Sequence, residues 1–520
     1  MDFRIQSFKQ AAFWSTAIGA FGQVLALLFG MLMASLFGAQ ESTDVLYYCL
    51  GIFALLTGMF QAINVSVLIP ETMRRRHQVG EADAMAFLNR FFAALALAIL
   101  ALAAWMLWNP AGTLTLISQF SRDVLARQSR LVFWLLATMP LQMVAQLLLD
   151  VLVSYRFLTL PATLSCVNRV INILFVWLFH RELGVVSVAL GMLLGFGLQV
   201  LLNLYLLRHA IRWNPFAWRT RIGGSVYRNL AWAEGGTLAS TLASYLPLFL
   251  FSGLGAGTLT ALNYARRLTA VPTQLMTAQV SNVTGIKFNE QAARRDYAGM
   301  GAAFDRIQRL LIFILVPLAF VLALTGEPVV QILFGRGAFG TDAVRDTALL
   351  FSALILTLPA EALNSVIARM NIARQEVGFG TRWQIGGNLL NAAIVYGFVR
   401  QMGALGFPVG TGVFYALYLL ALAQPFSKRL APANLWPTLK YLGTTLAAGA
   451  FAAAVAWGGS RRWLPATTGP WVEGAAMAGL FAIVYAGLLR YVPPDHRARD
   501  EGLALVRAAV RRLASGRCAG

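Results

Sequence analysis

The sequence predicts an all-α polytopic membrane protein with about 14 transmembrane helices, in two parallel-repeat lobes around a central cavity plus two C-terminal helices. Three observations predict it: composition, the length of the apolar runs, and a turn that recurs in both halves. Hydrophobic residues make up 58% of the 520 residues, charged residues 12%, and the mean hydropathy is +0.65. Soluble domains carry roughly 25% charged residues, so lipid is the expected solvent.

The net charge of +20 would also suit a nucleic-acid-binding protein, but the position of the charges argues against it. The basic residues lie mainly in short loops between apolar stretches and in the C-terminal tail. Cytoplasmic membrane faces hold Lys and Arg by the positive-inside rule and by attraction to anionic headgroups. We therefore expect membrane lipids, and not nucleic acid, to surround these charges.

Apolar stretches long enough to cross the bilayer recur along the whole chain, taking about 20 residues as the requirement for a helix. The predicted spans are residues 10–36, 44–70, 84–108, 130–155, 160–180, 184–207, 229–253, 257–285, 307–327, 343–368, 380–400, 404–426, 438–458 and 470–491. No small-residue cleavage site follows the first span, so we expect it to be retained rather than removed as a signal peptide.

The loop charges predict the orientation of these spans. With the N-terminus inside, the inside connections are rich in basic residues: Arg74, Arg75, Arg76, Arg208, Arg212, Arg219, Arg221, Arg228, Lys287, Arg294, Arg295, Lys428, Arg429 and the tail. The outside connections are poorer, with Arg122, Arg127, Arg336, Arg461 and Arg462 as the main exceptions. Both termini are therefore expected in the cytoplasm. Residues 208–228 and 497–517 suit either interfacial helices or solvated basic segments.

A turn motif recurs after the first and the seventh span. Residues 38–47 read GAQESTDVLY and residues 255–264 read GAGTLTALNY, so Gly, Ala, Thr and Tyr coincide in register. Both turns follow a helix running outward, so the two halves would share one orientation, which suits alternating access by rocking lobes. The predicted division is an N-terminal lobe 1–208, a basic cytoplasmic linker 209–228, a C-terminal lobe 229–426, helices 13 and 14 in 427–491, and a basic cytoplasmic tail 492–520.

Polar side chains at membrane depth are the site candidates, because charge there is costly and normally faces a cavity or a partner. They are Asp44, Asp150, Arg169, Glu234, Arg266, Arg267, Glu361, Arg382, Asn168, Asn172, Asn364, Asn388 and Asn391. Asp150, Glu361 and Arg382 lie near span ends, where snorkelling or interhelical pairing is the favoured interpretation. For the deeper Arg169 and Glu234, a functional role is slightly favoured over an ion pair that only holds helices together.

Arg267 is the strongest of these candidates. It lies about a third of the way into the eighth span, beside Arg266 and close to Pro272, which can break a helix next to a cavity. A guanidinium makes bidentate contacts to phosphate, so an arginine in a central cavity suits a diphosphate headgroup. The residues therefore favour transport of an anionic, polyprenyl-diphosphate-linked sugar.

Several motifs resemble the MurJ/MviN family of lipid II flippases. Residues 264–268 (YARRL) with Pro272, and residues 333–339 (LFGRGAF) after the ninth span, carry the resemblance. Phe37-Gly38-Ala39 with Thr43-Asp44, and the pair Leu198-Gln199, also match. The resemblance implies fourteen helices in two lobes, a place in the multidrug/oligosaccharidyl-lipid/polysaccharide exporter superfamily, and outward flipping of an undecaprenyl-diphosphate-linked peptidoglycan precursor across the bacterial cytoplasmic (inner) membrane.

By position, Arg267 matches the family's cavity arginine in the eighth helix, and Asp44 its acidic residue at the start of the second. The chain also departs from the pattern. First-helix arginine positions are here Gln23 and Phe29, a second-helix arginine position falls at about Thr57, and Arg266 stands in place of an acidic residue. The expected substrate-binding residues are Arg267, Asp44, Arg169, Glu234 and Gln23. The substrate is lipid II or another lipid-linked oligosaccharide for exopolysaccharide or O-antigen.

Other function classes fit less well. A membrane-embedded glycosyltransferase would need an acidic base or metal ligands on an outside loop, and those loops are short. A drug or small-cation exporter of the same superfamily would need an acidic cavity, whereas arginine predominates. The four histidines and the three widely spaced cysteines suggest neither a metal site nor a disulfide framework. We expect a transporter without cofactor, driven by a coupling ion or the membrane potential, since no Gly-rich ATP-binding loop occurs.

Overall fold

The structure is a computed structural model, and it describes residues 8–154, 159–210, 213, 214, 216–218, 220, 223–274, 279–463, 465 and 469–488. All regular secondary structure in these residues is helical, without any strand. The helices are α1 Phe8–Phe37, α2 Glu41–Ile63, α3 Ile69–Gln78, α4 Glu81–Trp108, α5 Pro110–Ile117, α6 Arg122–Arg127, α7 Ser129–Ser154, α8 Leu160–Leu183, α9 Val186–Ala210, α10 Gly224–Phe251, α11 Thr258–Pro272, α12 Gln279–Ala293, α13 Tyr297–Leu324, α14 Gly326–Phe334, α15 Thr341–Ile355, α16 Leu358–Ala373, α17 Val377–Met402, α18 Gly406–Arg429, α19 Leu435–Trp463 and α20 Pro470–Leu488.

The predicted fold class is confirmed, and fourteen spans is an approximate number. Within the described residues, 10 helices are long and apolar enough to cross a membrane, or up to 11 when the bent pair α15 and α16 counts as one span. One of them, Gly378–Arg429, is 52 residues long and contains two predicted spans, α17 and α18. The predicted seventh and eighth spans correspond to α10 and to α11 with α12, which carry more polar residues.

The chain divides into two compact units. Unit 1 consists of Met1–Thr260 with Arg336–Gly340, and unit 2 of Ala261–Gly335 with Thr341–Gly520. The lobes and linker expected from the sequence stay a prediction. The tail, residues 492–520, lies outside the described residues, as do Arg212, Arg219 and Arg221 of the linker.

The core of unit 1 forms where α2, α4, α7, α8 and α9 meet. Phe87 and Phe91 from α4 share one buried cluster with Leu148 and Leu152 from α7. Helix α7 packs against α9 and α2, and α1 packs against α8. Because apolar side chains surround α7 on several sides, any polar group on its inner faces must find its hydrogen bonds within the protein.

The helical backbone continues past Ile63, the last residue of α2, with a changed hydrogen-bond pattern. A π-helical turn, Asn64–Leu68, joins it directly to α3, and Pro70 occupies the first turn of α3. A proline lacks an N–H and is tolerated at the start of a helix, where no intrahelical donor is needed. Such π-turns are rare in proteins, and those that occur are often found at functional sites. This one brings Asn64 to the α7 interface.

In unit 2, α19 packs closely on α13 and α20 through small residues. Ala448, Ala452 and Ala456 recur every four residues on one face of α19 and belong to a cluster with Phe481 of α20. Phe320 of α13 stacks on Phe481 with ring centroids 6.2 Å apart. Small side chains let helix backbones approach closely in a membrane, where van der Waals packing drives association.

Candidate functional site

Asp44 lies buried at the start of α2, where the recurring turns contact each other. Its carboxylate accepts hydrogen bonds from the backbone N–H groups of Gly257 (2.6 Å) and Thr260 (2.7 Å), and from the Thr260 hydroxyl (2.6 Å). The Thr260 hydroxyl also contacts the hydroxyl of Thr43, its counterpart in the repeat, at 3.0 Å. The first N–H groups of a helix have no partner within it and carry partial positive charge. Asp44 therefore caps α11 from outside that helix.

Backbone packing around this cap leaves no room for side chains. Gly38 has φ +63°, and a Cβ there would lie 2.3 Å from the carbonyl oxygen of Ala338. At Gly257, φ is +84°, and a Cβ would lie 2.9 Å from the carbonyl oxygen of Ala39. Both positions need glycine, for conformation and for space. Gly257 thus lets the second turn approach the backbone of the first at Ala39, and Gly38 lets the first turn approach Ala338.

Arg169 of α8 contacts α1 at the residue before Gln23. A guanidinium nitrogen of Arg169 donates to the carbonyl oxygen of Gly22. Gln23 follows directly in the chain and is exposed. The contact is to the backbone of Gly22, so it does not place the side chain of Gln23 against Arg169. Asp44 lies apart from both, because 14 residues of helix, about 21 Å at 1.5 Å per residue, separate Gln23 from the end of α1 at Phe37.

Arg267 and Arg266, adjacent in α11, have different surroundings within unit 2. The Nε of Arg267 donates to the Oδ1 of Asn263, one turn earlier, at 2.9 Å. The guanidinium of Arg266 lies 4.7 Å from the ring centroid of Phe407, a cation–π contact. It lines a cavity of about 360 Å³ together with Glu361 and Tyr415. Asn263 fixes the side chain of Arg267, and Phe407 that of Arg266.

Three further candidates differ in how their polar groups are satisfied. Glu234 of α10 keeps a buried Oε1 without a hydrogen-bond partner among the described atoms. Arg382 is exposed and donates to the carbonyl oxygen of Gly378 in its own helix at 3.1 Å, which fits snorkelling at a span end. Asp150 pairs between helices, as expected: it accepts from Asn64 at 2.6 Å and from Gln146 at 2.8 Å.

An ion-pair cluster at the end of α3 was not foreseen. Arg75 is 8% exposed and bonds to Glu71 (2.7 Å), Asp83 (3.0 Å) and the hydroxyl of Thr220 (2.6 Å). From α4, Asn89 donates to two linker carbonyls and accepts from Trp213. In the sequence, Arg75 is one of three consecutive arginines whose charge indicates only the topology of the loop. The acidic residues Glu71, four positions before it, and Asp83, eight positions after it, could have indicated an ion-pair cluster.

The described residues in the middle of the linker are not helical. Trp213, Asn214 and residues 216–218 and 220 have no regular secondary structure, and Phe216 is 86% exposed. Contacts from α3 and α4 hold this segment in place, and its location at the membrane interface stays a prediction.

Among all the residues that the structure describes, no group of three or more His, Cys, Asp or Glu is placed to hold a metal ion.

Known proteins resemble the chain over most of its length. A family model described as "Lipid II flippase MurJ" matches residues 4–477. A lipid II flippase MurJ of Burkholderia cenocepacia is 25% identical over 419 residues, which cover 76% of this chain and 80% of the relative. A probable lipid II flippase MurJ of Aquifex aeolicus is 23% identical over 284 residues, covering 54% and 55% of the two chains.

Solved structures show the same fold at low sequence identity. A lipid II flippase MurJ in an inward closed conformation matches with a TM-score of 0.75 and 16% identity, over 92% of this chain and 98% of that chain. An inward-facing multidrug resistance transporter of the MATE family, from the MOP superfamily, matches with a TM-score of 0.61 and 14% identity, over 80% and 98%. The all-α architecture predicted from the sequence is thus a known transporter fold.

Proposed function

Because the chain belongs to the lipid II flippase MurJ family, we propose that it moves lipid II from the cytoplasmic to the outer leaflet by alternating access, with Arg267 holding the diphosphate. It is a multi-pass membrane transporter and not an enzyme. The family match over residues 4–477 is the observation that carries this function. Flipping of another lipid-linked oligosaccharide, drug export and glycosyl transfer are not favoured.

The role of Arg267 rests on its chemistry and its positioning. Its Nε is engaged by Asn263, which holds the guanidinium on one side of α11. A guanidinium has five N–H donors in a fixed plane, an arrangement that matches two oxygens of a phosphate. Charge-assisted bidentate bonds to phosphate are about twice as strong as neutral hydrogen bonds. Arg169, Gln23 and Glu234 complete the proposed set of substrate-binding residues, whereas Asp44, also expected in that set, caps α11 instead.

The placement in the membrane follows from the loop charges. A bacterial inner membrane is consistent with the family and with the many apolar helices. We propose that both termini are cytoplasmic, because basic loops lie on that side in the predicted topology. The prenyl chain stays in lipid while the head crosses, so no covalent step is required. A coupling ion or the membrane potential supplies the direction.

Complementation tests the function and the arginine together. The chain and its Arg267→Ala variant are expressed in a bacterium whose own lipid II flippase can be depleted, and survival and lipid II accumulation are followed. We expect the unaltered chain to rescue growth and Arg267→Ala to fail. Arg382→Ala is the matched control, because that arginine is exposed and bonds only a carbonyl of its own helix. It should rescue.

Each other outcome has a definite meaning. Lack of rescue by the unaltered chain, at normal abundance in the membrane, would reject lipid II as the substrate. Rescue by Arg267→Ala would leave the function standing and remove Arg267 from the site. Failure of both arginine variants would show that positive charge in general, rather than Arg267, is needed.

A further inference from the structure

A buried carboxylate at the interface of α2 and α7 has no positively charged partner among the residues that the structure describes. Asp150 is 7% exposed, and its hydrogen bonds come from two neutral amides, Asn64 and Gln146. Asn64 is 1% exposed, and its Oδ1 is buried without a hydrogen-bond partner among the described atoms. An ionised carboxylate in an apolar interior is costly unless it is paired, whereas a protonated one is tolerated much better.

The groups around this carboxylate are apolar or neutral. The π-turn contributes Val67 and Leu68, and α7 itself contributes Leu149, Val151 and Leu152 to the same buried cluster. Asn203 of α9 is buried, but it donates to the carbonyl oxygen of Ala145 and not to Asp150. Nothing in this cluster supplies a positive charge.

The charged and titratable groups on the surrounding elements are engaged elsewhere or exposed, apart from the half-buried Glu234, which is acidic and supplies no positive charge. Those at the same end of unit 1 are Glu71, Arg75 and His77 on α3, Asp83 and Arg90 on α4, Arg169 on α8, Arg208 and His209 on α9, and Glu234 on α10. Glu71, Arg75 and Asp83 form the cluster described above. Arg90 donates to the carbonyl oxygen of Thr220, and Arg169 to that of Gly22. His77, Arg208 and His209 are exposed.

We propose that Asp150 is a proton-binding site, with Asn64 as the group that serves both protonation states. When the carboxylate is ionised, the Nδ2 of Asn64 donates to it, as in the structure. When Asp150 takes up a proton, a rotation of the Asn64 amide brings its unpartnered Oδ1 to accept from the new O–H. One side chain thus satisfies the carboxyl group before and after protonation, without movement of either helix.

Two features of the surrounding helices support exchange of this proton with water. Gln142, Gln146 and Asp150 recur every four residues on one face of α7, a polar line of about 12 Å. Gln142 also keeps a buried Oε1 without a partner. Asn64 opens the π-turn, where the hydrogen-bond ladder of the helix is already altered. A polar line that ends at a buried carboxyl group is suited to carry a proton, because each amide both donates and accepts.

A metal cation fits this site less well than a proton. Both carboxylate oxygens already accept N–H donors, and an amide that turns its N–H groups inward repels a cation. Proton binding would make the transport cycle sensitive to pH, and that consequence rests on the proposed lipid II flipping. The binding itself does not depend on it, so the two are tested separately.

Infrared difference spectroscopy of the purified full-length protein tests the proton site directly. A pH change should alter a carbonyl-stretch band of a protonated carboxylic acid, and this band should be lost in Asp150→Asn. Glu361→Gln, which removes another buried carboxyl group of a membrane helix, should leave it unchanged. Asn64→Leu, which retains Asp150 but removes its amide partner, should shift the band. An unaltered band in Asp150→Asn, or a band that follows sodium concentration and not pH, would overturn the proposal.

Transport in vesicles with fluorescent lipid II gives the second readout. The unaltered protein should flip at a rate that changes with pH, and Asp150→Asn at a rate independent of pH. If Asp150→Asn fails to fold, Asp150→Glu replaces it and should keep both the band and the pH dependence. Absence of flipping by every variant, with the infrared band intact, would reject the function and keep the proton site. A pH-dependent rate in Asp150→Asn equal to that of the unaltered protein would overturn control of transport by Asp150, and the infrared band alone would then decide the proton site.

Discussion

Unit 1 buries two aspartates in different ways. Asp44 accepts two backbone N–H groups and a hydroxyl at the start of a helix, within a turn where glycines exclude any rearrangement. Asp150 accepts from two side-chain amides, which can rotate. Backbone donors at a helix N-terminus favour the ionised form of a carboxyl group over the protonated one. Amides accept and donate equally, so they accommodate either form. Burial alone therefore does not distinguish a structural carboxylate from a switchable one; the type of donor does.

Replacing each aspartate by asparagine should give the largest contrast. In Asp44→Asn, an NH₂ group takes the place of one acceptor oxygen and faces N–H donors that cannot turn away. We expect a loss of about 2–3 kcal/mol, the cost of leaving buried donors unpaired beside a lost charge-assisted bond. In Asp150→Asn, the amides of Asn64 and Gln146 rotate to restore complementary bonds, so we expect less than about 1 kcal/mol. Heat-induced unfolding in detergent, followed by fluorescence, measures both.

The comparison would be broken by equal losses in the two variants. Asp44→Ala should be at least as destabilising as Asp44→Asn, because it removes all acceptors from the Gly257 and Thr260 donors. A stable Asp44→Ala protein would show that water, rather than the carboxylate, satisfies the start of α11.

The glycines around Asp44 provide the second test. Gly38→Ala adds a methyl group 2.3 Å from the carbonyl oxygen of Ala338, at a residue with φ +63°. Gly403 has the same φ of +63° with nothing within 4 Å of its Cβ position, so Gly403→Ala isolates the conformational cost. We expect about 1 kcal/mol for Gly403→Ala and at least twice that for Gly38→Ala, since the second also disrupts backbone contact. Similar unfolding midpoints would mean that the turn can yield, and Asp44 would lose its rigid frame.

The sequence predicted the fold class well because it depends on patterns that are local in the chain, and the repeat of the two halves stays a prediction. Apolar length gives the spans, and the matching turns at residues 38 and 255 proved to be surfaces in contact through Thr43 and Thr260. The hydrogen-bond partner of Asp150 was harder to predict from the sequence. Asn64 lies 86 residues away, and its orientation depends on a π-turn that no composition rule predicts. The four-residue spacing of Gln142, Gln146 and Asp150 is visible in the sequence and indicates a polar face on α7. It does not indicate which helix packs against that face.

The arginines of α11 show the same limit. YARRL places two arginines in α11, and the depth of Arg267 in the span, the nearby Pro272 and the resemblance to the family all favoured Arg267. Sequence could not foresee that Arg266 would lie over Phe407, 141 positions later in the chain, because a cation–π contact leaves no periodic signal. Local rules therefore identify which residues are available to a site, and the packing of distant helices decides which of them face it.

Substitution of Glu71 should have the smallest effect on stability. Glu71 has a third type of hydrogen-bond partner, charged side chains near the surface. It lies beyond the end of the α2 span, and hydrogen bonds from Arg74, then from Arg75, hold the pKa of its carboxyl group below the usual value. A lowered pKa stabilises the folded state above the unfolded pKa, about 4.3, and this contribution disappears as the pH falls through the folded value. We expect Glu71→Gln to cost a few tenths of a kcal/mol at neutral pH, because Arg74 is largely exposed to solvent. The unfolding midpoints of the two proteins should converge in acid. A difference in unfolding midpoint that persists at low pH would assign Glu71 a packing role instead. In that case the positive charge of the donors would not explain what a carboxylate does in unit 1, and the ability of the donors to rotate would remain as the distinguishing property.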